Sequence, residues 1–173
     1  MFKIIESSFV QSIFQTDLQI DKKLYKKIKE HKIKKYSQVS TSYFDNDLPN
    51  YLKEEIKKYL KDYISQVAKL LNKKSYSIEG IWIQKYGVSD WHNMHIHDSK
   101  EASYSFILYI DGGKKSGPTR FYNLGYPYIH YTQHLESKPV PGKCLIFFSA
   151  LPHEALPSRD NKKVIVSGNI SFS

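Results

Sequence analysis

Apolar residues in this chain change from a largely helical spacing to a period of two around Lys73-Lys74, and that change divides it into two parts. Before it, a loose apolar run from Ser8 to Gln19 (Phe9, Ile13, Phe14, Leu18) fits an early strand, after which the period becomes helical. Asp21 precedes Leu24, Tyr25 and Ile28 among lysines, the pattern of an N-capped amphipathic helix. Ser37 to Asn46 is polar and reads as a loop. From Pro49, a residue suited to a first helical turn, Leu52, Ile56, Leu60, Ile64, Val67 and Leu71 recur at helical spacing with lysines and glutamates opposite. The pattern predicts a long helix lying on a sheet.

Past Lys74 the period is two. Ile81 and Ile83 alternate with Trp82, Gln84 and Tyr86. Ser105, Ile107 and Tyr109 share one face of a second run, against Tyr104, Phe106, Leu108 and Ile110. In the last run Val164, Val166, Ile170 and Phe172 oppose Lys163, Ser167, Asn169 and Ser171. Strands with one aliphatic face and one sparsely polar, aromatic face fit a barrel or sandwich with helices on one outer face and a polar pocket inside. Turn signals at Asp111-Gly112-Gly113, Ser116-Gly117-Pro118 and Pro139 to Gly142 separate the strands. Tyr122 to Ser137, with Asn123, Gly125 and Pro127, reads as a long loop of the kind that forms lids.

A length of 173 residues fits one domain, with residues 1–74 as mainly helical support and 75–173 as the β core. The formal charge of +9 raises a nucleic-acid reading, but Arg120 and Arg159 are the only arginines. Bidentate recognition of bases and phosphates favours arginine, so a solvated lysine face accounts for the charge better. The lone Cys144, in an apolar run, excludes an internal disulfide and Cys-rich zinc motifs and leads us to expect a cytoplasmic setting. Met1 to Ile5 is interrupted by Glu6 before a signal-peptide core can build, and no apolar segment approaches a membrane span.

The candidate chemistry lies in His95-Ile96-His97 and in His153, within Leu151-Pro152-His153-Glu154. On an extended segment both imidazoles of His-x-His point to one side. A third imidazole from a distant strand would complete a facial ligand set with metal positions left open, the arrangement that non-haem iron(II) chemistry uses. Seven histidines make a close pair by chance unremarkable, so the case rests on the surroundings. His92 lies an odd number of residues from His95 and is expected to face away. His130 and His134 are placed in the long loop, and His31 on the lysine-rich first helix.

With these residues in place, the sequence from about Trp82 onward resembles the iron(II)- and 2-oxoglutarate-dependent oxygenases. The likeness is to the prolyl-hydroxylase-like branch and to small bacterial and phage oxygenases with a His-x-His signature. The resemblance implies a double-stranded β-helix, the jelly-roll barrel shared with cupins. Pro141 to Phe148 followed by Pro152-His153 looks like the family's Gly turn, apolar strand and distal histidine, which makes His95, His97 and His153 the implied metal ligands. Lys163 stands ten residues beyond His153, where the family places the basic residue for the far carboxylate of 2-oxoglutarate. Tyr86, Ser105 and Tyr109 are the implied companions of Lys163 in the cosubstrate pocket. A lone lysine on an inner strand face is costly unless it meets an anion.

The sequence departs from the family at the second ligand, usually Asp or Glu and here His97. Either His97 is itself a ligand or the adjacent Asp98 swings in, and alternation favours His97. What the resemblance implies is an Fe(II) enzyme that decarboxylates 2-oxoglutarate to succinate and carbon dioxide and hydroxylates a small molecule or protein side chain. Trp82, Gln84, Trp91 and the aromatics of residues 122–131 are candidate substrate contacts. Two rivals remain. A cupin metal site would use His95, His97, Glu101 and His153 but leaves Lys163 without a task. A non-enzymatic basic module would bind in a salt-sensitive way without metal.

Overall fold

The computed structural model describes residues 2–8, 11–45, 48–97, 103–123 and 134–173. In chain order the strands and helices are β1 (Phe2–Ser8), β2 (Gln11–Asp17), α1 (Lys22–Glu30), β3 (Lys35–Tyr36), β4 (Val39–Thr41), α2 (Asn50–Leu70) and β5 (Tyr76–Lys85). There follow β6 (His92–His95), β7 (Tyr104–Asp111), β8 (Thr119–Tyr122), β9 (His134–Ser137), β10 (Lys143–Phe148), β11 (His153–Ala155) and β12 (Val164–Phe172).

Both helices form where the apolar spacing places them. The Asp21 carboxylate accepts from the backbone N–H groups of Lys23 and Leu24 at 2.9 and 3.0 Å, satisfying two donors that the first turn of α1 leaves open. Pro49 sits at the N-cap of α2. Leu52, Ile56, Leu60, Ile64 and Val67 are buried along one stripe of α2, joined by Leu24 and Ile28 of α1. Each such side chain contributes roughly 1.5–3 kcal/mol of gross burial energy.

That stripe rests on an eight-stranded sheet of order β1-β2-β10-β7-β12-β5-β4-β3. The two-faced strands explain why. Ile81, Ile83, Phe106, Leu108, Ile110, Cys144, Ile146, Val164, Val166 and Ile170 turn to the helices and form one core. Their opposite neighbours, among them Tyr86, Ile107, Tyr109, Leu145, Phe147 and Ile165, form a second core with Phe121, Leu151 and Ala155 of a four-stranded sheet, β6-β11-β8-β9. Gly142, at φ +89°, makes the turn into β10, and a Cβ there would sit 2.2 Å from the Leu18 carbonyl oxygen.

The double-stranded β-helix is therefore present, with its helices on one outer face. Among the described residues it is a two-sheet sandwich, without a hydrogen-bonded ring closing it into a barrel. Three local expectations need correction. The first 74 residues, more helix than strand among the described residues, also carry more strand than the single early one expected, because β1 to β4 extend both edges of the large sheet. The segment 37–46 is not all loop, since Val39–Thr41 pairs with β5 at its Lys85 end. Of the stretch 122–137 read as a loop, residues 124–133 lie outside the described residues. Its ends, Tyr122 and His134, are paired directly across β8 and β9, so His134 is a strand residue.

Candidate metal centre

The ligand nitrogens of His95, His97 and His153 all lie within 4.8 Å of one another. Their rings stand 4.3 Å (His95 to His153), 5.1 Å (His97 to His153) and 5.3 Å (His95 to His97) apart, centroid to centroid. Sheet register produces this convergence. β6 and β11 are antiparallel neighbours in which His95 and His153 are directly opposed. His97 follows β6 and is held by its backbone N–H, which donates to the Ser149 carbonyl at 2.9 Å.

Each of the three rings has its Nδ1 beside an oxygen. His95 Nδ1 donates to the Asn93 carbonyl at 2.7 Å and His153 Nδ1 to the Leu151 carbonyl at 2.9 Å. His97 Nδ1 donates to Asn169 Oδ1 at 2.7 Å, with Ser105 Oγ 2.8 Å away. A proton kept on Nδ1 leaves the Nε2 lone pair for a metal, the usual outer support of a histidine ligand. Burial lowers the pKa of all three, His153 furthest, so the imidazoles remain neutral near pH 7. The donor set fits a divalent transition metal with open positions.

The trio opens into a cavity of about 270 Å³. Trp82, Gln84, Tyr86, Ile107, Thr119, Ile165, Ser167 and Asn169 line its walls, while Tyr43, Phe44 and Ile96 form an exposed apolar mouth. Trp82 is buried and packs edge-on to Tyr43, 5.0 Å between centroids. Trp91 is not among the lining residues. Tyr122 is buried in β8, where its hydroxyl donates to Glu154, and residues 124–131 lie outside the described residues.

Lys163 has no solvent exposure. Its ammonium donates to the Gly117 carbonyl at 2.8 Å and stands 4.4 Å above the centre of the Tyr86 ring, whose side chain lines the cavity. Those are thin compensation for a group with three donors, and burial brings its pKa down to about 7. Tyr109 is equally buried. Its hydroxyl donates to the Ser137 carbonyl at 3.3 Å, and burial pushes it up to about 12. Ser105 is enclosed too, with its hydroxyl among His97, Ser149 and Asn169 instead of facing the cavity. The fold thus joins Lys163 to Tyr86 and puts Ser105 behind His97.

His92 corrects the parity argument. It lines the cavity, its ring 4.2 Å from that of His95. The register between β6 and β11 slips between the pairs His153/His95 and Ala155/His92, and one extra residue reverses the side to which a strand residue points. Sequence reasoning also missed the roles of Asn169 and Ser149 around His97. The polar odd positions of the last strand were the available signal for Asn169. For Tyr43 and Phe44, in a segment read as loop, the sequence carried none. Asp98 and Glu101, the ligands of the alternative readings, lie outside the described residues.

No protein-family model matches the sequence, and no curated protein shows significant similarity to it. Solved structures do match. A viral collagen prolyl hydroxylase from Paramecium Bursaria Chlorella virus-1, in complex with 2OG, is 14% identical at a TM-score of 0.65, covering 93% of this chain and 96% of its own. An oxidoreductase of the 2OG-Fe(II) oxygenase family from Burkholderia pseudomallei is 15% identical at 0.57, covering 92% and 68%. The non-heme alpha-ketoglutarate-dependent epimerase SnoN of nogalamycin biosynthesis is 11% identical at 0.71, covering 91% and 76%. This chain has the fold of the 2OG-Fe(II) oxygenases, the double-stranded β-helix on which those three enzymes are built.

Proposed function

We propose that this protein is an Fe(II)- and 2-oxoglutarate-dependent dioxygenase that hydroxylates its substrate. The observation that carries the reading is one cavity combining three imidazoles, each with Nε2 free, and a wall ring, Tyr86, backed by a buried ammonium. Fold alone does not choose a function; these residues do.

In this proposal His95, His97 and His153 hold the iron. Lys163 is assigned to the far carboxylate of 2-oxoglutarate, because a buried cation with one carbonyl acceptor is short of an anion. Tyr86 forms the wall beside that carboxylate. Tyr109 and Ser105 shape the pocket from behind, Tyr109 near Ser137 and Ser105 through the ring of His97. When bound, iron with 2-oxoglutarate supplies dioxygen activation coupled to decarboxylation to succinate. Trp82, Ile107 and Ile165 supply the apolar part of the wall around the reacting centre. Three neutral ligands leave the metal its full double charge, which favours the dianionic cosubstrate. The mouth formed by Tyr43, Phe44 and Ile96 is the assigned entry for the substrate's apolar part. The working compartment is the cytoplasm, where Cys144 stays reduced.

The test is anaerobic titration of the Fe(II)-loaded protein with 2-oxoglutarate, following the visible charge-transfer absorption of the chelate. The expected result is a saturable band in the wild type that needs at least tenfold more 2-oxoglutarate in Lys163→Ala. A wild-type protein that takes up Fe(II) but develops no band refutes the reading.

A further inference from the structure

The three candidate ligands and His92 all engage Nδ1, but with partners of opposite kind. His95, His97 and His153 each direct Nδ1 at an oxygen acceptor. His92 directs Nδ1 at the side-chain nitrogen of Gln84, 3.4 Å away. An amide nitrogen is a donor only, so the Nδ1 facing it is an acceptor and the ring proton resides on Nε2. His92 therefore has the opposite tautomer to its three neighbours. It lines the same cavity, yet its nitrogens are not part of the group that converges within 4.8 Å.

We propose that His92, set by Gln84, is a hydrogen-bond donor to an anion bound at the metal, not a fourth ligand. With Nδ1 engaged by Gln84, Nε2–H is the donor that His92 has to offer a ligand in the cavity it lines, and its ring packs 4.2 Å from that of a residue assigned to the metal. The recognised group is an acceptor atom of a small anion or carboxylate on the metal's open positions. In the oxygenase reading, on which this assignment to a metal site rests, that group is the chelating end of 2-oxoglutarate. His92 is a positioning residue, and the donation requires neither that particular cosubstrate nor turnover.

The experiment loads the whole protein with Co(II), whose visible spectrum reports its ligands, and titrates it with two probes, azide and 2-oxoglutarate. Wild type, His92→Phe and His92→Gln are compared. The expected results are Co(II) affinity unchanged within about twofold in both variants, and both anions bound about five- to tenfold more weakly by His92→Phe. Recovery is expected in His92→Gln, whose amide restores a donor. A tenfold loss of Co(II) affinity in His92→Phe would make His92 a ligand and overturn the proposal. Unchanged anion affinity in His92→Phe overturns it as well, as does a wild type that takes up no Co(II). If azide binding depends on His92 while 2-oxoglutarate fails to bind the wild type, the donor stands and the cosubstrate assignment falls.

Discussion

Replacing Lys163 with methionine should stabilise the ligand-free protein near neutrality and destabilise it in strong base. Lys163 is wholly buried, and its pKa comes down from 10.5 to about 7 through burial. A base whose folded pKa lies below its unfolded value costs stability when protonated. The wild type is unpenalised above the unfolded pKa and loses about 1.4 kcal/mol per pH unit as the pH falls from about 10.5 to about 7, some 5 kcal/mol in all. Methionine keeps the stem without the charge. Against that gain, the Gly117 carbonyl loses its donor, at about 1–3 kcal/mol, and the contact over Tyr86 disappears, at about 1–2 kcal/mol. The balance near pH 7 is a stabilisation of about 0–3 kcal/mol, centred near 1.5, or up to roughly 12 °C in Tm. Above about pH 10.5 only the lost hydrogen bond remains, and the variant becomes the less stable by about 1–3 kcal/mol. Urea denaturation of both metal-free proteins across this pH range measures the difference, and taking the difference cancels every other titrating group. Parallel stability curves, or a variant less stable at pH 7, would refute the claim that Lys163 is held at a cost. Under the proposed function the same substitution weakens 2-oxoglutarate binding at least tenfold, so the fold keeps an ion that it would be more stable without.

Asn169→Ala removes the acceptor of His97 Nδ1–H and should lower Fe(II) affinity about 10–100-fold by calorimetry, with melting of the metal-free protein little changed. Glu101→Ala should leave metal affinity as it is, and a loss of binding would favour the cupin reading instead. His153 is buried with its pKa held well below 6.5, so its protonation opposes folding. Metal-free stability should therefore hold above about pH 6.5 and fall as the pH drops below that value, and His153→Gln should flatten this part of the profile in thermal melts.

Whatever depends on repeating chemistry could be read from the chain alone. Ile81, Ile83, Phe106, Leu108, Val164 and Val166 recur every second residue, and such a pattern has one low-energy solution, an aliphatic face under an amphipathic helix. Leu52 to Val67 at helical spacing supply that helix. The same alternation sends Trp82, Gln84, Ser167 and Asn169 to the cavity side, so the polar interior was also legible. Lys163 announced itself because a charge on an inner face is too costly to be incidental.

What the tertiary structure decided are the contacts between residues distant in the chain, and the places where regular geometry breaks. His153 meets His95 because β11 pairs with β6 in one register, which no local pattern specifies. A slip in that same register swings His92 into the cavity against its parity. Ser105 carries the right residue type on the right face, yet packing puts its hydroxyl behind His97 and away from the cavity. Periodicity fixes which way a side chain faces relative to its own strand. Which strand then lies opposite, and how many residues separate the ladder's hydrogen bonds, follows from the balance of the whole sheet, and that balance is what brings these imidazoles together.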